Sequence, residues 1–124
     1  MKILEDKIKG LPHILVVDKN PSYAGLFKTF LPAYNVSTTH NPESAYKIVT
    51  DDHIQLLIVD HESAGRKEAN ILWRIREFAA GHKRNIPIVV MASCYEPISP
   101  LADYVTVKPD SKEGIEKLVQ KFLA

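Results

Sequence analysis

The 124-residue sequence has little cysteine, little excess charge and no long apolar run, and each shortage narrows what the chain can be. Cys94 is the single cysteine, so we expect no internal disulfide, no cysteine-based zinc site and a reducing, cytoplasmic setting. The formal net charge of +1 supplies no global field that would draw nucleic acid or a membrane surface. Because the apolar runs are only as long as a strand, no membrane-spanning helix is predicted.

Short apolar runs are the main feature that the sequence does contain. Four stand out, at residues 14–17, 56–59, 86–92 and 104–107, and a weaker fifth lies at 34–38. The first three lack polar alternation, which is typical of strands buried on both faces of a parallel sheet. The weaker run alternates more and is expected at a sheet edge.

Helical periodicity fills the segments between these runs. Asn20-Pro21 and Asn41-Pro42 each combine an N-cap residue with a first-turn proline, which predicts a helix start. Apolar residues then recur at helical spacing, as they also do in 66–80 and 115–122. Alternating strands and helices predict an α/β fold, with a doubly wound, five-stranded parallel sheet. We assign residues 13–124 to this domain and residues 1–12 to an N-terminal arm.

Four polar residues follow the ends of the predicted strands. Asp18, Asp60, Ser93 and Lys108 come directly after the first, third, fourth and fifth strands. Ligands of open parallel sheets bind beyond the carboxyl ends of the strands. Any one of these residues alone is as well explained by loop capping. Together they predict a site with two carboxylates, a hydroxyl and an amine.

These strand-end motifs resemble the receiver domain of two-component response regulators, of the single-domain chemotaxis kind. The resemblance covers the chain from about His13 to the C-terminus. It rests on four segments: Val16-Val17-Asp18-Lys19-Asn20-Pro21, Leu57-Ile58-Val59-Asp60, Val89-Val90-Met91-Ala92-Ser93 and Val107-Lys108-Pro109. It implies a flavodoxin-like sheet with strand order 2-1-3-4-5.

The resemblance also implies roles for the strand-end residues. Asp60 matches the phosphoacceptor, and Ser93 and Lys108 match the groups that hold the phosphoryl oxygens. Asp18 matches the first acid of the pair that, with Asp60, holds Mg²⁺. The implied function is signalling rather than enzymatic turnover. The implied partners are a histidine kinase or phosphotransfer protein, a downstream effector protein and a second copy of the chain, with no role for nucleic acid or membrane.

Three departures from the family pattern favour an alternative. Lys19 replaces the second acid of the pair, which weakens the expected Mg²⁺ site. The segment between Ser93 and Lys108 is short and rich in proline, so a shortened fourth helix is predicted. The switch aromatic is displaced to Tyr104, which by strand period shares the face of Lys108. Glu62 joins Lys19 as a pocket modifier. The alternative is a pseudo-receiver, which binds proteins without phosphorylation.

Two other α/β classes fail on the same residues. A flavodoxin-like nucleotide binder needs a phosphate-cradling loop after the first strand, and Asp18-Lys19-Asn20-Pro21 has no glycine there. A haloacid-dehalogenase-like phosphatase needs an aspartate where Asn20 stands. Trp73 lies off the apolar stripe of its helix, and both a protein contact and partial burial remain open for it.

Overall fold

The fold is seen in a computed structural model that describes residues 10–61, 67–92 and 101–123, with side chains described from residue 71 in the second range. Its five strands are all parallel and form one sheet in the order β2-β1-β3-β4-β5, which confirms the predicted order. The strands are β1 (His13–Val17), β2 (Asn35–Thr39), β3 (Leu56–Asp60), β4 (Ile88–Ala92) and β5 (Tyr104–Val107).

The three central strands carry the apolar runs that the sequence singled out. Every residue of β1, β3 and β4 is buried, because helices cover both faces of the sheet. The edge strands β2 and β5 are more exposed, and for β2 this confirms the edge position predicted from its alternation. β4 begins at Ile88, two residues later than predicted, since the preceding Pro87 has no N–H to give to a ladder.

Four helices are described: α1 (Pro21–Phe30), α2 (Pro42–Asp51), α3 (Lys67–Gly81) and α4 (Lys112–Gln120). Asn20 and Asn41 cap α1 and α2 as predicted, each accepting two backbone N–H groups of the first turn. The helices divide the core in two. One cluster lies between the sheet and α2 with α3, and the other lies between the sheet and α1 with α4.

Two sequence expectations lie outside this description. The N-terminal arm falls on residues 1–12, of which only 10–12 are described, and the shortened helix falls largely on 93–100. Within the described ranges, none of the helices is both long enough and apolar enough to cross a membrane.

Candidate functional site

The sheet register brings the strand-end residues to one rim. Val17 of β1 lies beside Val59 of β3, and Ala92 of β4 lies beside Val107 of β5. Because parallel strands end at the same edge, Asp18, Asp60 and Lys108 follow one another across this rim. Ser93 and Glu62, which were also predicted here, lie outside the described residues.

Lys108 joins the two aspartates. Its Nζ lies 3.2 Å from Asp18 Oδ2 and 3.1 Å from Asp60 Oδ1. Asp18 and Asp60 are 2% and 1% exposed, whereas the Lys108 side chain is 25% exposed. Two buried carboxylates therefore share one partly exposed ammonium, and this trio has a formal charge of −1.

The electrostatics of this trio keep Lys108 charged. Burial alone lowers the pKa of the Lys108 ammonium, but its close contacts with the carboxylates of Asp60 and Asp18 and their negative charges outweigh burial and raise it. The ammonium is therefore a permanent cation at neutral pH. It offsets part of the cost of burying two carboxylates together.

The backbone around Asp18 fixes the position of its carboxylate. The Asp18 N–H donates to the Thr39 carbonyl at 2.9 Å, which ties the end of β1 to β2. The Asn20 N–H donates to Asp18 Oδ1 at 2.9 Å, while the Asn20 side chain caps α1. One oxygen of Asp18 is thereby held by the backbone, and the other is left to face Lys108.

Tyr23 is a residue of the site that the sequence reasoning missed. Its position among the apolar residues that follow Pro21 at helical spacing predicts only a residue of the core. Its ring lies under the Lys108 ammonium, 4.9 Å from Nζ to the ring centroid, and its hydroxyl donates to the Pro109 carbonyl at 2.6 Å. Burial first, and then Asp18, Asp60 and Asp110, raise the pKa of the Tyr23 hydroxyl, so it remains a donor. The sequence signal that could have identified Tyr23 is a side chain with a polar hydroxyl placed five positions after Asp18.

Two other predicted residues lie near the rim. Lys19 follows Asp18 and is exposed. Tyr104 packs against the α1 and α4 side of the sheet, with its ring 5.8 Å from that of Phe122. This is the side on which Lys108 meets Tyr23, as strand period predicted for Tyr104.

The two carboxylates are a partial donor set for Mg²⁺. Asp18 Oδ2 and Asp60 Oδ1 face the same ammonium, so they converge on a position that suits a cation. Within the described ranges, no cluster of three acidic, histidine or cysteine side chains forms a metal site. Mg²⁺ is commonly held by one or two carboxylates with water completing its shell. The residues present fit an ion held in that way.

Trp73 lies on α3, away from the rim. It is 53% exposed, whereas its neighbours Ile71, Leu72 and Ile75 are buried in the core. The sequence left open whether Trp73 is partly buried along the helix flank or makes a protein contact. More than half of the residue is exposed, so burial accounts for less than half of its surface. Its role in a protein contact stays a prediction.

Comparison with known proteins gives one sequence relative and many related structures. No family model matches the chain. The probable transcriptional regulator ycf27 of Cyanidium caldarium is 28% identical over 131 aligned positions, which take in 99% of this chain and 51% of the relative. The chain thus spans about half the length of the curated relative it matches.

Three of the similar structures are a response regulator, a receiver domain protein and an orphan response regulator. The response regulator TrrA of Thermotoga maritima, solved in complex with Mg²⁺ and BeF, has 26% identity and a TM-score of 0.74 over 90% of this chain and 99% of that one. A CheY-like receiver domain protein of Methanospirillum hungatei has 16% identity and a TM-score of 0.75 over 90% and 93%. An orphan response regulator of H. pylori has 19% identity and a TM-score of 0.73 over 94% and 100%.

Proposed function

We propose that this chain, which has the fold of a response-regulator receiver domain and resembles that family in sequence, accepts a phosphoryl group on Asp60 and signals through protein contacts. The observation that carries the proposal is the Lys108 ammonium, held within 3.2 Å of both buried carboxylates at the strand ends. Two carboxylates buried side by side cost stability even when they contact an ammonium, and a functional site explains why both are kept.

The proposed step is a transfer between two anions. A carboxylate oxygen of Asp60 forms a bond to the phosphorus, and the bond from phosphorus to the donor breaks with its electron pair staying on the donor. The product on Asp60 is a mixed carboxylic–phosphoric anhydride. Lys108 stays protonated throughout, so its charge offsets the negative charge that gathers on the transferred oxygens.

Mg²⁺ has a proposed place in this step. Asp18 and Asp60 would hold it, and when bound it screens the charge of the phosphoryl oxygens from that of the carboxylates. Lys19 lies next to Asp18 in the chain, and a cation at that position opposes the arrival of another. We infer that Mg²⁺ binds more weakly here than it would beside an acidic residue.

The remaining roles follow from the family resemblance. Ser93 would donate its hydroxyl to a phosphoryl oxygen, Glu62 would tune loss of the group, and Tyr104 would act as the switch aromatic. The donor would be a histidine kinase or phosphotransfer protein, and the signal would pass to an effector protein or a second copy of the chain. Exposed Trp73 is a candidate for such a contact, because tryptophan is enriched at protein interfaces.

The proposal is tested by phosphorylation with a small donor. Incubation with acetyl phosphate and Mg²⁺ should add one phosphoryl mass, which hydroxylamine should remove because the product is an acyl phosphate. Asp60→Asn should abolish the addition. Asp51→Asn, an exposed position in the last turn of α2, should leave it intact. A wild-type protein that stays unmodified at high donor and Mg²⁺ would overturn the proposal in favour of the pseudo-receiver.

A further inference from the structure

We propose that Tyr23 is a positioning residue that aims the Lys108 ammonium at Asp18 and Asp60, and so sets how fast Asp60 receives a phosphoryl group. The rate part of this inference rests on the function proposed above. The positioning part stands on the geometry of the folded protein alone.

Tyr23 contacts the Lys108 segment at two points. Its ring lies 4.9 Å from the Lys108 ammonium, and its hydroxyl donates to the carbonyl of the next residue, Pro109, at 2.6 Å. The same hydroxyl lies 3.9 Å from the sulfur of Met91, in β4. One side chain thus locates both the head of Lys108 and the backbone beside it.

The ring contact restrains the Lys108 head group, which the two carboxylates alone leave able to move. A lysine head sits on four rotatable bonds, and at 25% exposure the Lys108 ammonium can also reach water. A third carboxylate would hold it more firmly but would add to the repulsion between Asp18 and Asp60. The face of an aromatic ring attracts the cation without adding a charge to the site.

The hydroxyl contact fixes where the side chain of Lys108 begins. The Lys108 N–H donates to the Ala92 carbonyl at 2.9 Å, so its backbone is tied to β4 on one side. The Tyr23 hydroxyl ties the following peptide to α1 on the other side. Pro109 has no N–H, so its carbonyl is the backbone group that it can offer as a contact, and Tyr23 donates to it.

If Tyr23 served only to fill the core, the expected effect of its loss would be different. Tyr23 also packs edge-on against Phe27, with ring centroids 5.7 Å apart, and it covers the core beneath α1. If filling that space were its whole role, its loss would lower stability and leave the fully folded protein just as reactive. Tyr34, half-buried against the same core cluster but placed before β2, is a matched control for that effect.

The positioning part is tested by NMR on the Lys108 ε-methylene protons. In wild type they should be shielded by the ring current of Tyr23. Tyr23→Phe keeps the ring and should keep the shielding, whereas Tyr23→Leu should lose it. Tyr34→Leu should change nothing at Lys108. An unshielded Lys108 in wild type would overturn the inference, and this measurement needs no second variant to fold.

The rate part is tested by acetyl phosphate kinetics under conditions where each variant is fully folded. Tyr23→Leu should lower the rate at saturating donor about tenfold and change the half-saturating donor concentration much less, because the aim of Lys108 matters most as charge develops. Tyr23→Phe should fall between the two, and Tyr34→Leu should match wild type. Equal rates for Tyr23→Leu and wild type would overturn the rate part. No phosphorylation of wild type would overturn the proposed function, with the NMR result still deciding the position of Lys108.

Discussion

The two ends of the sheet both bury polar side chains, but they satisfy them in different ways. At the amino end, the ring Nε2 of His13 lies 2.7 Å from Ser37 Oγ, and the Asn35 amide donates to the Leu11 carbonyl at 3.2 Å. At the carboxyl end, Asp18 and Asp60 share the ammonium of Lys108. The amino end is built from hydrogen bonds between polar groups, whereas the carboxyl end is built from charge.

The amino end also shows how a purely structural end is closed. The His13 N–H donates to Gln55 Oε1 at 2.8 Å, and the Gln55 N–H donates back to the His13 carbonyl at 2.8 Å. The Asn35 N–H donates to the Pro12 carbonyl at 2.8 Å. These bonds join β1 and β2 to the residues that come just before β1 and β3. They leave this end closed by short contacts within the protein, as buried polar groups require.

The two ends therefore differ in what their burial costs. Hydrogen-bonded polar groups cost little to bury, whereas two carboxylates buried side by side cost free energy in the folded state. Evolutionary tolerance of that cost is expected where a cation or a phosphoryl group is to be received. Three substitution experiments test this contrast.

Removing the cation from the carboxyl end should have the largest effect. Lys108→Met leaves Asp18 and Asp60 buried and facing each other, and we expect a loss of about 3 kcal/mol in the free energy of unfolding at neutral pH. Denaturant unfolding measures it.

The control for this experiment is a lysine in an exposed pair. Lys112 Nζ lies 4.0 Å from Glu116 Oε2 on α4, and Lys112→Met should change stability by no more than about 0.5 kcal/mol. If Lys108→Met were as mild as the control, the two aspartates would not depend on the ammonium. The contrast between the two ends would then fail.

The sequence predicted the part of this molecule that repeats simple rules. The runs in β1, β3 and β4 are apolar without interruption, and Asn20 and Asn41 with their prolines mark helix starts. Both signals are local, so the strands, the caps and the rim positions of Asp18, Asp60 and Lys108 could be expected from the residues alone, whereas the strand order was implied by the family resemblance. The roles of these rim residues are still predictions.

The contacts that shape the site could not be predicted in the same way. The Tyr23 hydroxyl meets Pro109, and they are 86 residues apart in the chain. Asp103 is another case, since its Oδ2 accepts from the Ile88 N–H at 2.7 Å and from Arg76 at 2.8 Å. Such pairings depend on side-chain directions across a folded sheet, and no periodicity in the sequence records them.

Exchanging charge between the two ends should have the next largest effect. Asn35 is 8% exposed, and its side-chain amide donates to the Leu11 carbonyl. Asn35→Asp places a carboxylate against that carbonyl, which should lower the free energy of unfolding by about 2 kcal/mol. Asp18→Asn removes one of two repelling carboxylates and keeps an oxygen for the Asn20 N–H, so it should gain about 1 kcal/mol. Thermal and denaturant unfolding measure both.

If the two ends differ in this way, the two near-isosteric substitutions should change the free energy of unfolding in opposite directions. A destabilised Asp18→Asn would mean that the carboxyl end is as well balanced as the amino end. A tolerated Asn35→Asp would mean that the amino end has room for charge.

The smallest expected effect concerns Lys19, the exposed residue beside the site. Lys19→Asp adds a third carboxylate to the carboxyl end, and without metal it should lower stability by about 0.5 kcal/mol, since exposed charges interact weakly. Millimolar Mg²⁺ should recover that loss, because an ion that binds only the folded state stabilises it. Wild type should respond less to Mg²⁺.

The control is Lys28→Asp, which makes the same change of charge in the last turn of α1 and should show no Mg²⁺ response. Paired thermal melts with and without Mg²⁺ make the comparison. If wild type gains as much from Mg²⁺ as Lys19→Asp does, Lys19 does not oppose the metal, and the carboxyl end binds Mg²⁺ with Asp18 and Asp60 as strongly as it would with a third acid.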